Sequence, residues 1–113
     1  MSSIFPEPIK NLPEADIPIG GVKAHLFQGE KSQIIFMEFE KDADVPEHSH
    51  ESQWEIVLNG TVDYFEDGVK YTYKKGDRFY IPKGKKHYAK AYAGYASIIF
   101  FNQKDRYKKK VNK

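Results

Sequence analysis

The chain has 113 residues, of which 40% are hydrophobic, 30% charged and 15% aromatic, and this composition predicts a single globular domain. No apolar run is long enough to span a membrane, and the first residues lack the basic and apolar regions of a signal peptide. The absence of cysteine excludes disulfides, thiolate metal sites and a cysteine nucleophile. It also suits a reducing compartment, so we expect a cytoplasmic protein without a membrane partner.

The net charge of +2 is unevenly distributed along the chain. Residues 104–113 carry six basic side chains and one acidic side chain, so the remainder is mildly acidic. No basic footprint for nucleic acid remains in the main part of the chain, and we expect no nucleic-acid partner. Because chain ends are commonly poorly ordered, we expect this basic C-terminal tail to be solvated and frayed. Removal of residues 105–113 is then expected to leave the fold intact.

The predicted elements begin after a proline-rich segment. Residues 1–20 contain four prolines and are predicted to form an extended N-terminal arm with at most a brief strand. Beyond them the apolar residues follow a period of two, and helical signals are almost absent. The predicted strands, rich in β-branched and aromatic residues, are 22–27, 34–39, 55–58, 61–65, 69–73, 79–81, 87–92 and 97–101.

Glycines punctuate this pattern at regular intervals. Four of them are spaced eight residues apart, and a fifth follows ten residues later: Gly60, Gly68, Gly76, Gly84 and Gly94. Short strands with turns at this spacing indicate an all-β sandwich or barrel. We therefore expect a jelly roll or closed barrel over residues 21–103, with a small cavity inside.

Two of the four histidines stand close together, as His48 and His50. On a strand, residues two apart point to the same face, so the two imidazoles would project together into the barrel. Neutral imidazole is a common ligand of divalent transition metals, although a surface pair of histidines is an equally open interpretation of this segment alone. The lone His25 is expected to be a surface or packing residue.

Two segments of the chain are similar to the two motifs of the cupin superfamily. The second motif is matched by Gly76, Pro82, Gly84 and His87 at the family's spacing, although Ala91 replaces its final asparagine. The first motif is matched by His48, His50 and Gly60, but Asp42 stands where the family has glycine. The chain thus resembles a small single-domain RmlC-like cupin over roughly residues 34–101.

This resemblance implies an all-β fold, the single-domain cupin jelly roll or double-stranded β-helix barrel. It also implies a divalent transition metal held by His48, His50 and His87 together with one glutamate or glutamine. Nitrogen and oxygen ligands without thiolate suit Mn, Fe, Ni, Co or Zn. Three histidines and a glutamine would leave positions open on the metal, as catalytic sites do.

The oxygen ligand has two candidates, because the first motif can be counted in two ways. Counting back from Gly60 gives Gln53, and counting forward from His50 gives Glu55. Strand alternation places both side chains on the inner face. We rank Gln53 first, because the Gly60 turn fixes the register of the strand that it ends.

Glu55 is then predicted to be a catalytic carboxylate beside the metal. A nearby divalent cation favours the charged form more than an apolar wall disfavours it, so Glu55 is expected to be ionised. It would be a fifth ligand, the oxygen ligand in place of Gln53, or a general base.

Proteins with this fold have many functions, so the resemblance leaves two candidate functions open. The first is a metal-binding cupin that acts on a small polar molecule (a carboxylate, diol or enol) as a dioxygenase, isomerase or lyase. The alternative is a non-catalytic module that binds or senses a sugar or small acid. The family also implies a homodimer, and Trp54, Ile56 and Leu58, which alternate away from the barrel interior, suit its interface.

Overall fold

The structure is a computed structural model that describes residues 2–111. One helical turn precedes nine strands. In chain order the elements are α1 (Glu7–Lys10), β1 (Val22–Gln28), β2 (Gln33–Phe39), β3 (Ala43–His48), β4 (Gln53–Asn59), β5 (Thr61–Glu66), β6 (Val69–Lys74), β7 (Arg78–Ile81), β8 (His87–Ala91) and β9 (Ala96–Phe101).

The strands form two antiparallel sheets that face each other. The five-stranded sheet has the order β1-β2-β9-β4-β7, and the four-stranded sheet has the order β3-β8-β5-β6. Neighbours far apart in sequence, such as β2 and β9, pair because the chain crosses repeatedly between the two sheets. The prediction of an all-β jelly roll is confirmed.

Alternation along the strands decides which residues lie between the sheets. On β4, Gln53, Glu55 and Val57 are buried, whereas Trp54 is exposed. The buried apolar residues of both sheets form one core, which includes Leu26, Ile35, Phe39, Val57, Val62, Ala91, Ile99 and Phe101. Two polar residues of β4 therefore face an interior that is otherwise built mostly from apolar side chains.

Gly60 is required by a close approach of two backbone segments. Its φ is +74°, and a Cβ at this position would lie 2.7 Å from the Cα of Tyr95. Both facts favour glycine, which tolerates positive φ and has no Cβ. The turn between β4 and β5 is thereby held against the turn that precedes β9, which supports the use of Gly60 to count along β4.

The N-terminal arm differs from the expected extended segment. Residues Glu7–Lys10 form the single turn α1, with Pro8 in its first turn, where a fixed φ suits a helix and the missing N–H costs no hydrogen bond. Within residues 2–111 no helix is long and apolar enough to cross a membrane. After α1 the arm runs along β1, and the backbone N–H of Leu26 donates to the Pro13 carbonyl at 2.8 Å.

The C-terminal tail is not frayed within the described residues, so that expectation is wrong. The N–H of Asp16 donates to the Lys108 carbonyl, and the N–H of Lys110 donates to the Glu14 carbonyl, both at 2.8 Å. The Tyr107 ring packs against the core and meets Phe101 edge-on at 5.8 Å between ring centroids. The side chains of Lys104, Lys108, Lys109 and Lys110 are exposed. Their charges therefore gave no sign that the backbone of the tail pairs with the N-terminal arm.

Candidate metal centre

Three histidines from different parts of the chain converge at one end of the barrel. His48 ends β3, His50 lies in the following loop, and His87 begins β8. One ring nitrogen from each lies within 4.8 Å of the others. Among residues 2–111, no carboxylate oxygen joins this group of nitrogens. The histidines predicted from the sequence are therefore brought together.

Strand pairing and one loop contact place these rings. His48 and His87 are paired across β3 and β8, next to an irregularity in β3 that follows Val45 and includes Pro46. Proline is tolerated there because a bulge needs no ladder hydrogen bond from its nitrogen. His50 lies beyond the end of β3, so the same-strand argument applied to it is wrong. Its carbonyl instead accepts a hydrogen bond of 2.9 Å from the N–H of Gly84.

Backbone carbonyls orient all three imidazoles in the same way. The Nδ1 atoms of His48, His50 and His87 lie 2.8, 2.6 and 2.8 Å from the carbonyl oxygens of Pro46, Glu51 and Lys85. A carbonyl only accepts, so each Nδ1 is the protonated nitrogen and each Nε2 carries a lone pair. The Nε2 of His50 is buried and has no hydrogen-bond partner within residues 2–111. Metal-binding histidines are commonly held by this kind of Nδ1 contact.

The surroundings keep these histidines neutral. Burial lowers the pKa of His50 to about 4, with a smaller contribution from the Arg106 charge. Burial likewise lowers the pKa values of His48 and His87, and Arg106 acts in the same direction on both. Neutral imidazoles with free Nε2 lone pairs are the form that ligates a cation.

Gln53 and Glu55 lie side by side on the inner face of β4, and both are buried. The Gln53 Nε2 donates to Glu55 Oε1 at 2.7 Å, and the hydroxyl of Tyr95 donates to Glu55 Oε2 at 2.5 Å. Burial raises the pKa of Glu55, while the hydrogen bonds from Tyr95 and Gln53 oppose that shift. The Oε1 of Gln53 accepts no hydrogen bond from residues 2–111, so an oxygen remains available on this side chain.

A cavity opens directly beside the histidines. It has a volume of about 80 Å³, measured as the space open to the centres of water molecules, and mainly apolar side chains of both sheets line it. His48, His87, Gln53 and Glu55 contribute its polar wall. Tyr64 also lines it, with its ring centroid 5.6 Å from that of His87. A small molecule in this cavity would touch the histidine group and Glu55 together.

Sequence reasoning missed Tyr95, which lines the cavity and donates to Glu55. It also missed Arg106 and Tyr107, which it assigned to the frayed tail. Both line the cavity, and the Arg106 guanidinium lies over the Tyr107 ring, 4.3 Å from its centroid. The tyrosine within the lysine-rich segment was the available signal that the tail packs against the domain, because an aromatic ring is not expected in a fully solvated tail. His25, by contrast, is a packing residue of β1, with its Nδ1 3.1 Å from the Leu12 carbonyl oxygen.

The chain matches a family model described as a cupin domain over residues 35–97. A search of curated proteins found no match. Among solved structures it is similar to an RmlC-like cupin from Shewanella frigidimarina, with 27% identity, a TM-score of 0.74, and coverage of 93% of this chain and 94% of that one.

Two further structures share the fold at lower identity. A cupin-like protein from Thermotoga maritima is 24% identical, with a TM-score of 0.70 and coverage of 88% of this chain and 80% of that one. Oxalate decarboxylase from Bacillus subtilis, a protein with Mn(II) centres, is 20% identical with a TM-score of 0.68. That match covers 86% of this chain and 29% of the decarboxylase chain.

Proposed function

Because the chain belongs to the cupin domain family, we propose that it is a metal-dependent cupin in which His48, His50 and His87 hold a divalent transition metal. One observation carries this proposal. Each of the three rings is fixed through Nδ1 by a backbone carbonyl, and the Nε2 of His50 is buried without a partner. A buried polar atom without a partner is costly, and a metal ion in the histidine group would satisfy it.

The donor set fits a transition metal rather than calcium or magnesium. Three imidazole nitrogens suit Mn, Fe, Ni, Co or Zn, whereas the hard cations prefer oxygen ligands. Gln53 supplies the fourth ligand through Oε1, because its amide nitrogen is already engaged by Glu55. All four ligands are neutral, so the full charge of the ion would remain available to polarise a bound group.

The proposed activity is a reaction of a small polar molecule, carrying a carboxylate, diol or enol, in the cavity beside the metal. A bound metal would supply Lewis-acid chemistry there. Glu55 is the proposed general base: its carboxylate lines the cavity and is held by Tyr95 and Gln53. The apolar wall formed by both sheets would exclude bulk water from the molecule. This set of roles is compatible with a dioxygenase, an isomerase or a lyase.

The second candidate function is a non-catalytic module that binds a sugar or small acid. The cavity between the sheets favours small-molecule binding in either case. A carboxylate inside the cavity favours the enzyme, because a binding module has no need of a base beside the metal. A ligand that copurifies unchanged and is not converted on incubation with the metal-loaded protein would favour the module.

The test is the metal content of protein purified without an affinity tag. We expect about one equivalent of divalent transition metal per chain, and loss of that metal in a His48→Ala, His87→Ala double variant. His25→Ala is the matched control, since it removes the fourth histidine of the sequence but leaves the group intact. Full metal occupancy in the double variant would contradict the proposal.

A further inference from the structure

Arg106 brings a positive charge into the cavity from a part of the chain that the family model does not cover, because that match ends at residue 97. Its guanidinium is positioned by two aromatic rings, 4.3 Å from the centroid of Tyr107 and 5.5 Å from that of Phe101. Tyr107 is in turn fixed by Gln33, whose side chain bonds both its N–H and its carbonyl. The tail thus holds this arginine in place rather than leaving it in solvent.

The guanidinium has no anionic partner within residues 2–111. No carboxylate there lies within 4.0 Å of it, although four lysines of the chain do have such partners. Its Nε is buried and makes no hydrogen bond to residues 2–111. The residue as a whole is half-buried, but a buried N–H without an acceptor is costly, because it has lost its hydrogen bond to water and the aromatic rings supply no acceptor in its place. This arrangement is expected of a group whose partner is a ligand.

The charge of the cavity points to the sign of that ligand. The ring nitrogens of the histidine group are close enough to Arg106 for its charge to act on all three. Glu55 contributes one negative charge to the cavity, but Gln53 and Tyr95 already bind its two oxygens. A divalent metal held by neutral ligands would add two positive charges, so the cavity with Arg106 would be net positive. A neutral ligand would leave the guanidinium unpaired, whereas an anionic ligand would neutralise it.

The size of the cavity limits the ligand. A volume of about 80 Å³ accommodates roughly five to eight waters at about 10–15 Å³ each. A molecule with a similar number of non-hydrogen atoms fits this space. The planar fork of an arginine matches a carboxylate in a bidentate manner, and the aromatic rings hold the fork in one plane.

We propose that Arg106 binds the carboxylate of a small organic acid, and that this acid spans the cavity from the tail to the three-histidine site. The inference rests on the proposed metal function for the far end of the acid, and it deepens that function by naming the substrate class. The C-terminal tail is then a part of the binding site. Specificity for an acid over a neutral molecule of the same shape comes from the guanidinium.

The experiment compares glycolate with glycolamide, which have the same number of non-hydrogen atoms and differ in charge. Binding of each is measured by calorimetry and by ligand-observed NMR to the Co²⁺-loaded protein and to the metal-free protein. Co²⁺ affinity is measured separately by the visible absorption of the bound ion. The variants are Arg106→Gln and Arg106→Lys, with Arg78→Gln as the matched control, because Arg78 is the one other arginine in the sequence and is exposed on β7.

We expect the wild-type protein and Arg78→Gln to prefer glycolate by roughly 10- to 100-fold. In the metal-free protein, Arg106→Gln is expected to lose this preference. In the Co²⁺-loaded protein, where the ion also attracts the carboxylate, the variant is expected to show a smaller preference than the wild type while binding Co²⁺ as tightly. Arg106→Lys keeps the positive charge but loses the planar guanidinium that binds a carboxylate through two N–H groups. It is therefore expected to retain only part of the preference for glycolate. A wild-type protein that binds the two compounds equally would overturn the proposal, as would an Arg106→Gln variant that keeps the preference.

The readouts separate this proposal from the proposed function. If no form of the protein binds Co²⁺, the metal proposal fails, and the preference measured on the metal-free protein still decides the role of Arg106. A purely structural role for Arg106 predicts a lower melting temperature with an unchanged preference for glycolate, which would count against carboxylate binding.

Discussion

Gln53 and Glu55 present different atoms to the cavity, although they lie two residues apart on the same face of β4. Their mutual hydrogen bond uses the amide nitrogen of Gln53 and one oxygen of Glu55. Tyr95 holds the other oxygen of Glu55. The amide oxygen of Gln53 is thus the oxygen of this pair that is free to bind a metal. The Glu55 carboxylate is instead held in place by two hydrogen-bond donors. This difference in hydrogen bonding supports Gln53 as the ligand and Glu55 as the base.

The two roles predict opposite effects on metal binding. Gln53→Ala removes a ligand atom and is expected to weaken Co²⁺ binding at least about tenfold. Glu55→Gln keeps a side chain of the same size, whose amide oxygen can accept from Gln53 while its NH2 group donates to the Tyr95 hydroxyl oxygen. The Gln53 oxygen then stays free, so Co²⁺ affinity is expected to change by less than about threefold. Competition titration against a chelator of known affinity measures both.

Gln28→Ala, on the exposed end of β1, is the control for a glutamine substitution outside the cavity. If Glu55→Gln loses Co²⁺ while Gln53→Ala keeps it, the carboxylate is the ligand. The forward count from His50 would then be the correct one, and Gln53 would be a positioning residue.

At the level of elements, strands with alternating apolar residues can be predicted from the sequence. Elements without a hydrophobic pattern cannot. The eight predicted strands are all present, and most of them have apolar residues on alternate positions facing the core. The exception is β6, which has no buried residue and is predicted from its β-branched and aromatic residues between two turns. The single turn α1 is too short to produce a helical period, and β3 is mostly polar and contains Pro46. Neither therefore carries a hydrophobic pattern that could identify it.

The residues of the site likewise include some that the sequence predicts and others that it does not. His48, His50 and His87 could be predicted together, because their positions match the spacing of the two cupin motifs. Arg106 is not visible, since it stands in a lysine-rich run and reaches the cavity only through backbone bonds between the tail and the arm. Those bonds use N–H and carbonyl groups that every residue possesses, so composition gives no sign of them.

The docked tail leads to a prediction about stability. Tyr107→Ala removes a ring that packs on Phe101 and against the core, and it is expected to lower the melting temperature by about 5–10 °C, from roughly 1–2 kcal/mol of lost burial. Lys108→Ala is the matched control, because its side chain is exposed while its carbonyl still bonds Asp16. Thermal unfolding followed by circular dichroism measures both. An unchanged melting temperature in Tyr107→Ala would show that packing of the Tyr107 ring contributes nothing to the stability of the fold.

On the scale of the whole molecule, the outer face of the five-stranded sheet is apolar at one end, whereas Lys23, Glu38 and Arg78 lie elsewhere on the same face. One row of register partners crosses all five strands, and its members are Phe27, Ile34, Phe100, Trp54 and Tyr80. Tyr80 is 60% exposed and Phe27 is 53% exposed. At about 4.8 Å between strands and 3.3 Å per residue, the face measures roughly 20 by 23 Å. The accessible area of this face, including its protruding side chains, is similar to the area that each partner buries in a small dimer interface.

We propose that a second copy of the chain covers this face. A strip of apolar side chains without charges offers nothing to a charged partner, whereas it is complementary to the same strip related by a two-fold axis. Trp54, expected at a dimer interface from the alternation of β4, lies at the middle of the row beside Phe100. Dimerisation would also leave the cavity open, because the cavity lies between the sheets and the row lies on the outside.

A charge placed in this row is expected to separate the two copies. Trp54→Glu should convert a dimer of about 26 kDa, twice the 13.1 kDa chain, into a monomer, because an unpaired carboxylate buried at an apolar contact costs several kcal/mol. Light scattering coupled to size-exclusion chromatography measures the mass directly. Val69→Glu is the matched control, since Val69 is exposed to a similar degree, at 48% against 41% for Trp54, but lies on β6 of the opposite sheet. A wild-type protein that is monomeric at high micromolar concentration would refute the assembly. Dissociation by Val69→Glu and not by Trp54→Glu would move the interface to the other sheet.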